Sequence, residues 1–194
     1  LARVIRTAQD SDIFDKVVVS SEDAEILALA EKEGAIAHAR PSELASDRST
    51  VVDTCINALE SSPSEFFCCF YATAALISKE TLRSASKSFL SDLASNVLMG
   101  VSEYNYHPVQ ALTFDGDGNA KLLFPEYGTL QSQFYPPARA SNGTFYWAKV
   151  DNFLREKTFY SNSLRLFDVP VDESFDVDTL EDYNRLTHAY EIKS

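Results

Sequence analysis

The 194-residue sequence lacks several features that mark large classes of protein. It has 17 Lys and Arg against 29 Asp and Glu, which gives a formal net charge of −12. Because a nucleic-acid surface needs a basic footprint, this balance argues against a nucleic-acid partner. No apolar run approaches the roughly 20 residues needed to cross a bilayer, and no segment resembles a signal peptide. These absences predict a soluble protein without a membrane or nucleic-acid partner.

Cysteine is scarce, and its spacing fits neither a zinc site nor a disulfide framework. Cys68 and Cys69 are adjacent inside an apolar run, and Cys55 lies in a helical pattern. We interpret all three as small buried side chains of a protein in a reducing compartment, and we expect a cytoplasmic location.

Familiar catalytic motifs are also missing. The sequence has no G-x-G-x-x-G, Walker A or G-x-S-x-G pattern, and its three histidines have no partners at metal-ligand spacing. No nucleophile and base can be paired from spacing. A metal-assisted reaction on a phosphorylated substrate is the chemistry that remains best supported.

The residues that are present predict an α/β fold. Apolar runs at 14–20, 35–39, 66–72 and 96–102 read as strands, and amphipathic helical patterns separate them. One helical pattern opens the chain with Leu1, Val4, Ile5 and Ala8 on its apolar face, and another is expected to bury Val51, Val52, Cys55, Ile56 and Leu59. Helix caps are predicted at Ser20, Ser21, Ser78 and Asp151. This rhythm with short connections is typical of a Rossmann-like, mostly parallel sheet with helices on both faces. Small or polar residues follow the strands. Ligands bind beyond the carboxyl ends of the strands in such sheets, and ordinary turns use the same residue types, so both explanations stay open.

The rhythm breaks after residue 105. The turn sequence Asp115-Gly116-Asp117-Gly118 lies between strand patterns and predicts a projecting hairpin over about 105–125. We predict one domain over 1–194, with this hairpin as a dimerisation insert. Phe153, Phe159 and Tyr160 are further candidate oligomer contacts, and packing on their own domain is an equally good explanation for each.

An acidic stretch near the carboxyl end carries the clearest chemical signal. Six acidic residues fall between Asp172 and Asp182. In an extended segment Asp176 and Asp178 point to the same side, and Thr179 with Asp182 forms a capping-box pattern for the next helix. Two explanations follow: a solvated acidic loop before a helix cap, or a site for Mg²⁺, which binds one or two carboxylates plus phosphate oxygens.

Taken together, the motifs resemble the acylneuraminate cytidylyltransferases, and most of all their pseudaminic acid branch. They occur in family order across nearly the whole chain: FDKVVVSSED at 14–23, RPSELASD at 40–47, CCFYATA at 68–74, YHPVQAL at 106–112, PEY at 125–127, SQ at 132–133, NGTFYW at 142–147 and DVDTLED at 176–182. The ordered set, rather than any single motif, carries the resemblance.

The resemblance implies a nucleotidyltransferase fold of the GT-A type and transfer of CMP from CTP to a nine-carbon sugar acid, with release of pyrophosphate. It also implies a homodimer and a Mg²⁺ ion, with Mn²⁺ as the alternative metal. The metal and catalytic role falls on Asp176 and Asp178. Nucleotide binding is assigned to Arg40, Asp47, Thr50, Ala72 and Thr73, and substrate binding to Gln110, Gln133, Tyr146, Phe159 and Tyr160.

The sequence departs from the family pattern at three places. The family opens with a strand and a glycine-rich, Lys/Arg-bearing loop for the triphosphate, and neither has a counterpart here. Ala75 stands where proline is usual, and Gln131 replaces the arginine that helps to bind the anionic sugar. Two alternatives therefore stay open: a glycosyltransferase with an Asp-x-Asp metal site, and a non-catalytic or truncated relative.

Overall fold

The computed structural model describes residues 1–46, 48–92, 94–175, 177 and 179–193. Strands and helices alternate along most of the chain. The helices are α1 (Ala2–Asp10), α2 (Ala24–Lys32), α3 (Val51–Ser61), α4 (Lys79–Ser91), α5 (Val150–Glu156) and α6 (Leu180–Lys193). The strands are β1 (Val18–Ser21), β2 (Ile36–Ala39), β3 (Phe66–Phe70), β4 (Val97–Glu103), β5 (Leu112–Phe114), β6 (Ala120–Leu122), β7 (Arg139–Lys149) and β8 (Leu164–Asp168).

The main strands form two separate sheets. β1 and β2 pair in parallel, and a four-stranded sheet has the order β3-β7-β4-β8. In the larger sheet β7 is antiparallel to β3 and β4, while β4 and β8 are parallel, so three of its four strands share one direction. The predicted mixed α/β class with a mostly parallel sheet is confirmed.

The structure confirms the helix cap predicted at Ser78 and contradicts those predicted at Ser20, Ser21 and Asp151. Ser78 caps α4, as predicted, by accepting a hydrogen bond from a backbone N–H of the first turn. The predicted caps Ser20 and Ser21 for α2 were wrong, because Asp23 holds that place and its carboxylate accepts two backbone N–H groups. Asp151 was wrongly predicted to cap α5, since it lies inside that helix's first turn.

Strand β7 divides the core of the larger sheet into two layers. Phe145 and Trp147 point to one face, where they pack with Leu98 and with Phe89 of α4. The alternate side chains point to the other face and pack with Val97, Met99, Val101, Phe153 and Phe159. This alternation is what a strand covered on both faces requires.

Helix α1 links the two sheets. Its Arg6 forms a bidentate pair with Glu33 beyond the end of α2, with both N···O distances at 2.7 Å. At the other end, Arg83 of α4 donates to the backbone oxygens of Ser11 (2.8 Å) and Asp10 (3.0 Å). The predicted apolar face of this helix is confirmed, since Val4, Ile5 and Ala8 are buried.

A long opening separates β1 from β3. We call it the slot: a cavity of about 800 Å³ lined by residues of α1, β1, α3 and β3 and by Trp147. Helix α3 was predicted to bury its apolar face, yet none of its residues is fully buried, and all five residues of β3 are only half-buried. Both elements border the slot, which leaves their apolar side chains partly uncovered.

The predicted hairpin is confirmed as the β5–β6 pair. The Asp115 carboxylate accepts the backbone N–H groups of Asp117 (3.0 Å) and Asn119 (2.8 Å), which closes the turn. Leu112 and Phe114 on β5 leave 66% and 74% of their surface exposed. Within the described residues, no helix has both the length and the apolar character for a membrane span.

Candidate active site

The candidate site lies at one edge of the larger sheet. Since β3 and β4 are both antiparallel to β7, and β8 is parallel to β4, the carboxyl ends of β3, β4 and β8 meet there. Ligands of open α/β sheets bind beyond such strand ends. The start of β7 lies at the same edge and brings its own side chains to it.

A bulge in β7 shapes this edge. Met99 pairs with Tyr146 and Val101 pairs with Ser141, so a step of two residues on β4 is matched by five on β7. Gly143 lies within the bulge at a φ of +62°, a conformation that favours glycine. Opposite the bulge, a Cβ on Gly100 would lie 2.6 Å from Thr144 Oγ1. Glycine is therefore required for this close approach.

The bulge carries a polar network that reaches the acidic stretch. Asn142 donates from Nδ2 to Ser102 Oγ (3.0 Å) and to Ser174 Oγ (3.1 Å), and these two hydroxyls also bond each other. Thr144 donates to Asn142 Oδ1 at 2.6 Å. Because Asn142 and Thr144 are buried, these bonds hold Ser174 against the ends of β4 and β7.

The neighbouring residue supplies a second tie. Glu173 Oε2 accepts the backbone N–H of Ser78 at 2.8 Å, which fixes the segment to the start of α4. On the far side, the predicted capping box is confirmed: Thr179 Oγ1 accepts from Asp182 N (3.2 Å) and donates to its carboxylate (2.7 Å). Glu173 and Ser174 thus fix the start of the acidic stretch to α4 and to the sheet, while the Thr179–Asp182 box is a local bond that begins α6.

The predicted metal ligands Asp176 and Asp178 lie outside the described residues. Across the part of the chain that the structure does describe, no group of three His, Cys, Asp or Glu side chains could hold a metal ion. The donor set itself fits Mg²⁺, since paired carboxylates are ligands that this ion prefers. The metal assignment therefore stays a prediction.

Three of the predicted nucleotide residues follow strands: Arg40 lies after β2, and Ala72 and Thr73 lie after β3. Arg40 follows β2, and its Nε donates to Glu22 Oε2 at 2.8 Å. The pKa of Glu22 is lowered by a hydrogen bond from its own backbone and then by Arg40. Thr50 caps α3 in a capping box with Asp53, and the Thr50 hydroxyl donates its hydrogen bond to the Asp53 carboxylate. Asp47 lies outside the described residues.

Ala72 and Thr73 form the turn that follows β3. Ala74 N–H bonds the Tyr71 oxygen (3.0 Å), and Ala75 N–H bonds the Thr73 oxygen (2.8 Å). Ala72 also lines the slot. The turn keeps its small side chains at the carboxyl end of the strand, as the sequence predicted.

The predicted sugar residues do not all lie together. Tyr146 and Phe159 are in contact, with ring centroids 4.6 Å apart, and both are buried. Tyr160, by contrast, is 70% exposed. Gln110 and Gln133 are exposed on single-turn 3₁₀ helices outside the core. Gln133 bonds the side chain of Gln131.

Sequence reasoning missed three features of this edge: the Tyr71–Tyr146 contact, the ion pairs of Arg139 and the bulge in β7. Tyr71 packs edge-on against Tyr146 at 5.6 Å, and burial raises the pKa of its phenol. Arg139, at the start of β7, pairs with Asp168 and Glu103 at the ends of β8 and β4. The Asn-Gly pair at 142–143 inside a strand pattern was the available signal for the bulge.

Two cytidylyltransferases are similar to this chain over most of its length. A relative, the pseudaminic acid cytidylyltransferase of Campylobacter jejuni, is 31% identical over 195 residues, covering 97% of this chain and 83% of the relative. The N-acylneuraminate cytidylyltransferase of Streptococcus agalactiae is 25% identical, covering 92% of this chain and 44% of the relative.

Solved structures show the same fold at low identity. A structure of CMP:2-keto-3-deoxy-manno-octonic acid synthetase complexed with CTP superposes with a TM-score of 0.70 at 12% identity, covering 99% of this chain and 87% of that one. A 4-diphosphocytidyl-2C-methyl-D-erythritol synthase from Anaerococcus prevotii gives a TM-score of 0.65. The sequence profile described as "Cytidylyltransferase" matches residues 1–191. The chain belongs to the cytidylyltransferase family.

Proposed function

We propose that the protein transfers CMP from CTP to the anomeric hydroxyl of a nonulosonic acid, with pseudaminic acid favoured, and releases pyrophosphate. The observation that carries this proposal is the near-full-length similarity to pseudaminic acid cytidylyltransferases, at 31% and 30% identity in two Campylobacter jejuni strains. The N-acylneuraminate cytidylyltransferases of three Streptococcus agalactiae strains are less similar, at 25% identity.

The strand-end edge supports the proposal physically. In this proposal Arg40 contacts the cytidine part of CTP, close to the small residues Ala72 and Thr73. Asp176 and Asp178 would hold Mg²⁺, which offsets charge on the α-phosphate and the sugar carboxylate when it is bound. The anchored residues Glu173 and Ser174 keep the start of that acidic stretch at the sheet edge.

The sugar would lie against the start of β7. Tyr146 is held by a 2.7 Å hydrogen bond between its hydroxyl and Ser141 Oγ, and its ring packs on Phe159. Gln110 and Gln133 are exposed and can donate or accept hydrogen bonds with sugar hydroxyls. Tyr160 is exposed and available to a neighbouring subunit.

The direct test is release of pyrophosphate from CTP and Mg²⁺ with pseudaminic, sialic and legionaminic acids offered in parallel. Turnover with one sugar acid defines the substrate. CTP binding without turnover on any of the three would point to a different acceptor, and absence of CTP binding would contradict the proposed function.

Two variants test the assigned residues. Asp178→Asn should abolish turnover with little loss of stability, because it removes one charge from an acid-rich stretch. Arg40→Ala should weaken CTP binding and leave metal binding unchanged. Full activity in the first variant, or unchanged CTP affinity in the second, would remove that residue from the site.

We also propose a homodimer formed through the hairpin and a cytoplasmic location. Exposed Leu112 and Phe114 on β5 are apolar side chains that a second copy would cover. Phe114→Asp should therefore convert a dimer to a monomer in light scattering, whereas Ile36→Asp, on exposed β2, should not. A dimer that survives Phe114→Asp would contradict this interface. The free thiols Cys55, Cys68 and Cys69 fit a reducing compartment.

A further inference from the structure

Glu22 and Arg40 lie side by side at the carboxyl ends of β1 and β2. The two strands are parallel, and their last residues, Ser21 and Ala39, are register partners. Glu22 directly follows the first strand and Arg40 directly follows the second. Because ligands of open α/β sheets bind beyond such strand ends, both side chains are placed where a ligand can reach them.

The backbone of Arg40 is fixed on both sides. Its N–H donates to the Ser21 oxygen at 3.1 Å, which ties it to the end of β1. Pro41 follows, and a residue before proline is restricted to extended backbone conformations. The remaining freedom at this position belongs to the long side chain of Arg40.

Glu22 takes up much of that freedom. Arg40 Nε and Nη2 both donate to Glu22 Oε2, at 2.8 Å and 2.5 Å. The arginine side chain keeps only 22% of its surface exposed, against 41% for the glutamate. Since the guanidinium is rigid and planar, two bonds from neighbouring nitrogens to one oxygen fix the direction in which it points.

Glu22 is itself well anchored. Its carboxylate accepts its own backbone N–H, which together with Arg40 lowers the pKa of this group and keeps it ionised. The next residue, Asp23, caps α2, and its backbone N–H donates to the Ser21 hydroxyl at 3.1 Å. Glu22 therefore lies in a short, hydrogen-bonded connection between β1 and α2.

The pair uses only part of the Arg40 guanidinium. Of its five N–H donors, two bond Glu22, and the other three lie on the side away from that carboxylate. One hydrogen on each terminal nitrogen forms a parallel fork, which fits two adjacent acceptors in one plane. A cytosine ring offers such acceptors at O2 and N3, whereas a uracil ring carries a hydrogen on N3. The direction of the fork therefore affects how well it can bind a base.

We propose that Glu22 is a positioning residue, which holds the Arg40 guanidinium in the orientation that binds the base of the nucleotide. This role rests on the proposed function, in which Arg40 contacts the cytidine part of CTP. Glu22 acts only through Arg40 and touches no reacting atom. Its contribution is preorganisation, because an arginine that is already oriented loses less side-chain freedom when the base binds.

Two other roles for Glu22 make different predictions. An ordinary exposed ion pair contributes little to stability and nothing to ligand affinity. A carboxylate that mainly repels the anionic nucleotide would give tighter CTP binding when it is removed. Cytidine separates these cases, because it carries the base and sugar without the phosphates and is therefore not repelled.

The test is an NMR titration of wild type and Glu22→Gln with cytidine, uridine and CTP. The substitution keeps the shape of the side chain and removes its charge, which weakens the bonds that orient Arg40. We expect the Kd for cytidine to rise about three- to tenfold and the preference for cytidine over uridine to fall. In turnover assays KM for CTP should rise by the same factor, with kcat unchanged within about twofold.

Glu33→Gln is the matched control. Glu33 forms a similar two-bond pair with Arg6, at 2.7 Å for each bond, but it precedes β2 and so lies at the opposite end of that strand. Its loss should leave the Kd for cytidine unchanged. Urea unfolding should show the same midpoint for Glu22→Gln as for wild type, because the pair is at the surface.

A double-mutant cycle tests whether Glu22 acts through Arg40. Glu22→Ala should weaken cytidine binding in the wild-type background and should have no further effect in an Arg40→Ala background. Unchanged or tighter cytidine binding in Glu22→Gln, or a loss that adds fully to that of Arg40→Ala, would overturn the positioning role and leave the proposed function standing. A wild-type protein that binds neither cytidine nor CTP would overturn both.

Discussion

Replacing Asn142 by alanine would test whether the polar network fastens the acidic stretch to the sheet. The change removes the two bonds from Nδ2 to Ser102 and Ser174, and it removes the acceptor for Thr144. A net hydrogen bond contributes about 0.5–1.5 kcal/mol, and a buried polar group left unpaired costs about 1–3 kcal/mol. Because Thr144 has no exposed surface, water cannot replace the lost acceptor of its hydroxyl.

We therefore expect Asn142→Ala to lower the free energy of unfolding by about 2–4 kcal/mol, which is a large part of a typical domain's stability. Urea unfolding followed by circular dichroism measures this loss, and an unchanged m-value shows that compactness is retained. Asn105→Ala is the control, because Asn105 is exposed and its loss should change stability by no more than about 0.5 kcal/mol.

A double-mutant cycle with Ser174→Ala then tests the link to the acidic stretch. Contacting residues show coupling energies of about 0.5–3 kcal/mol, so the two losses should not add. If Asn142→Ala costs less than about 1 kcal/mol, or if its effect adds fully to that of Ser174→Ala, the network does not hold the segment.

Three further predictions concern the bulge, the core and acid stability. Gly100→Ala should cost about 1–3 kcal/mol because its Cβ meets Thr144 Oγ1, and the cost should fall in a Thr144→Ala background if the steric reasoning is right. Phe153→Ala should cost about 3–5 kcal/mol by urea unfolding, because the ring is buried, and a cost below about 1 kcal/mol would contradict that packing. The pKa of Asp53 is lowered by hydrogen bonds from Thr50, so this carboxylate stabilises α3 above its ordinary pKa, and the effect is lost as pH falls through the lowered value. Asp53→Asn should therefore flatten the acid limb of the stability–pH curve, and an unchanged limb would exclude the capping box as a contributor.

The elements of this fold were largely predictable because their signals are local. Continuous apolar runs located β3 and β4, and hydroxyl residues before helices located the Ser78 cap and the Thr179 box. The turn at 115–118 located the hairpin. Each signal depends on residues within a few positions of one another.

The candidate site was only partly predictable because its contacts join distant parts of the chain. Ser174 and Asn142 are 32 residues apart, and Glu173 bonds a backbone group 95 residues away. The cap at Asp23 was missed for a different reason. Ser20, Ser21 and Asp23 are all favourable cap residues, and Asp23 is the cap because β1 continues to Ser21. The assignment of Asp176 and Asp178 depends on the family resemblance.

Helix α1 is one of several links that allow the two sheets to unfold together. Among the described residues, the β1-α2-β2 portion and the four-stranded sheet share no strand pairing. Helix α1 joins them through Arg6 on one side and the Arg83 bonds on the other, and Phe14 adds a stacked contact with Trp147 at 5.2 Å. A cooperative transition needs such a mechanical link between its parts. Removing the Arg83 bonds should therefore weaken this link and broaden the heat-absorption peak, with the β1-α2-β2 portion becoming more open to proteases.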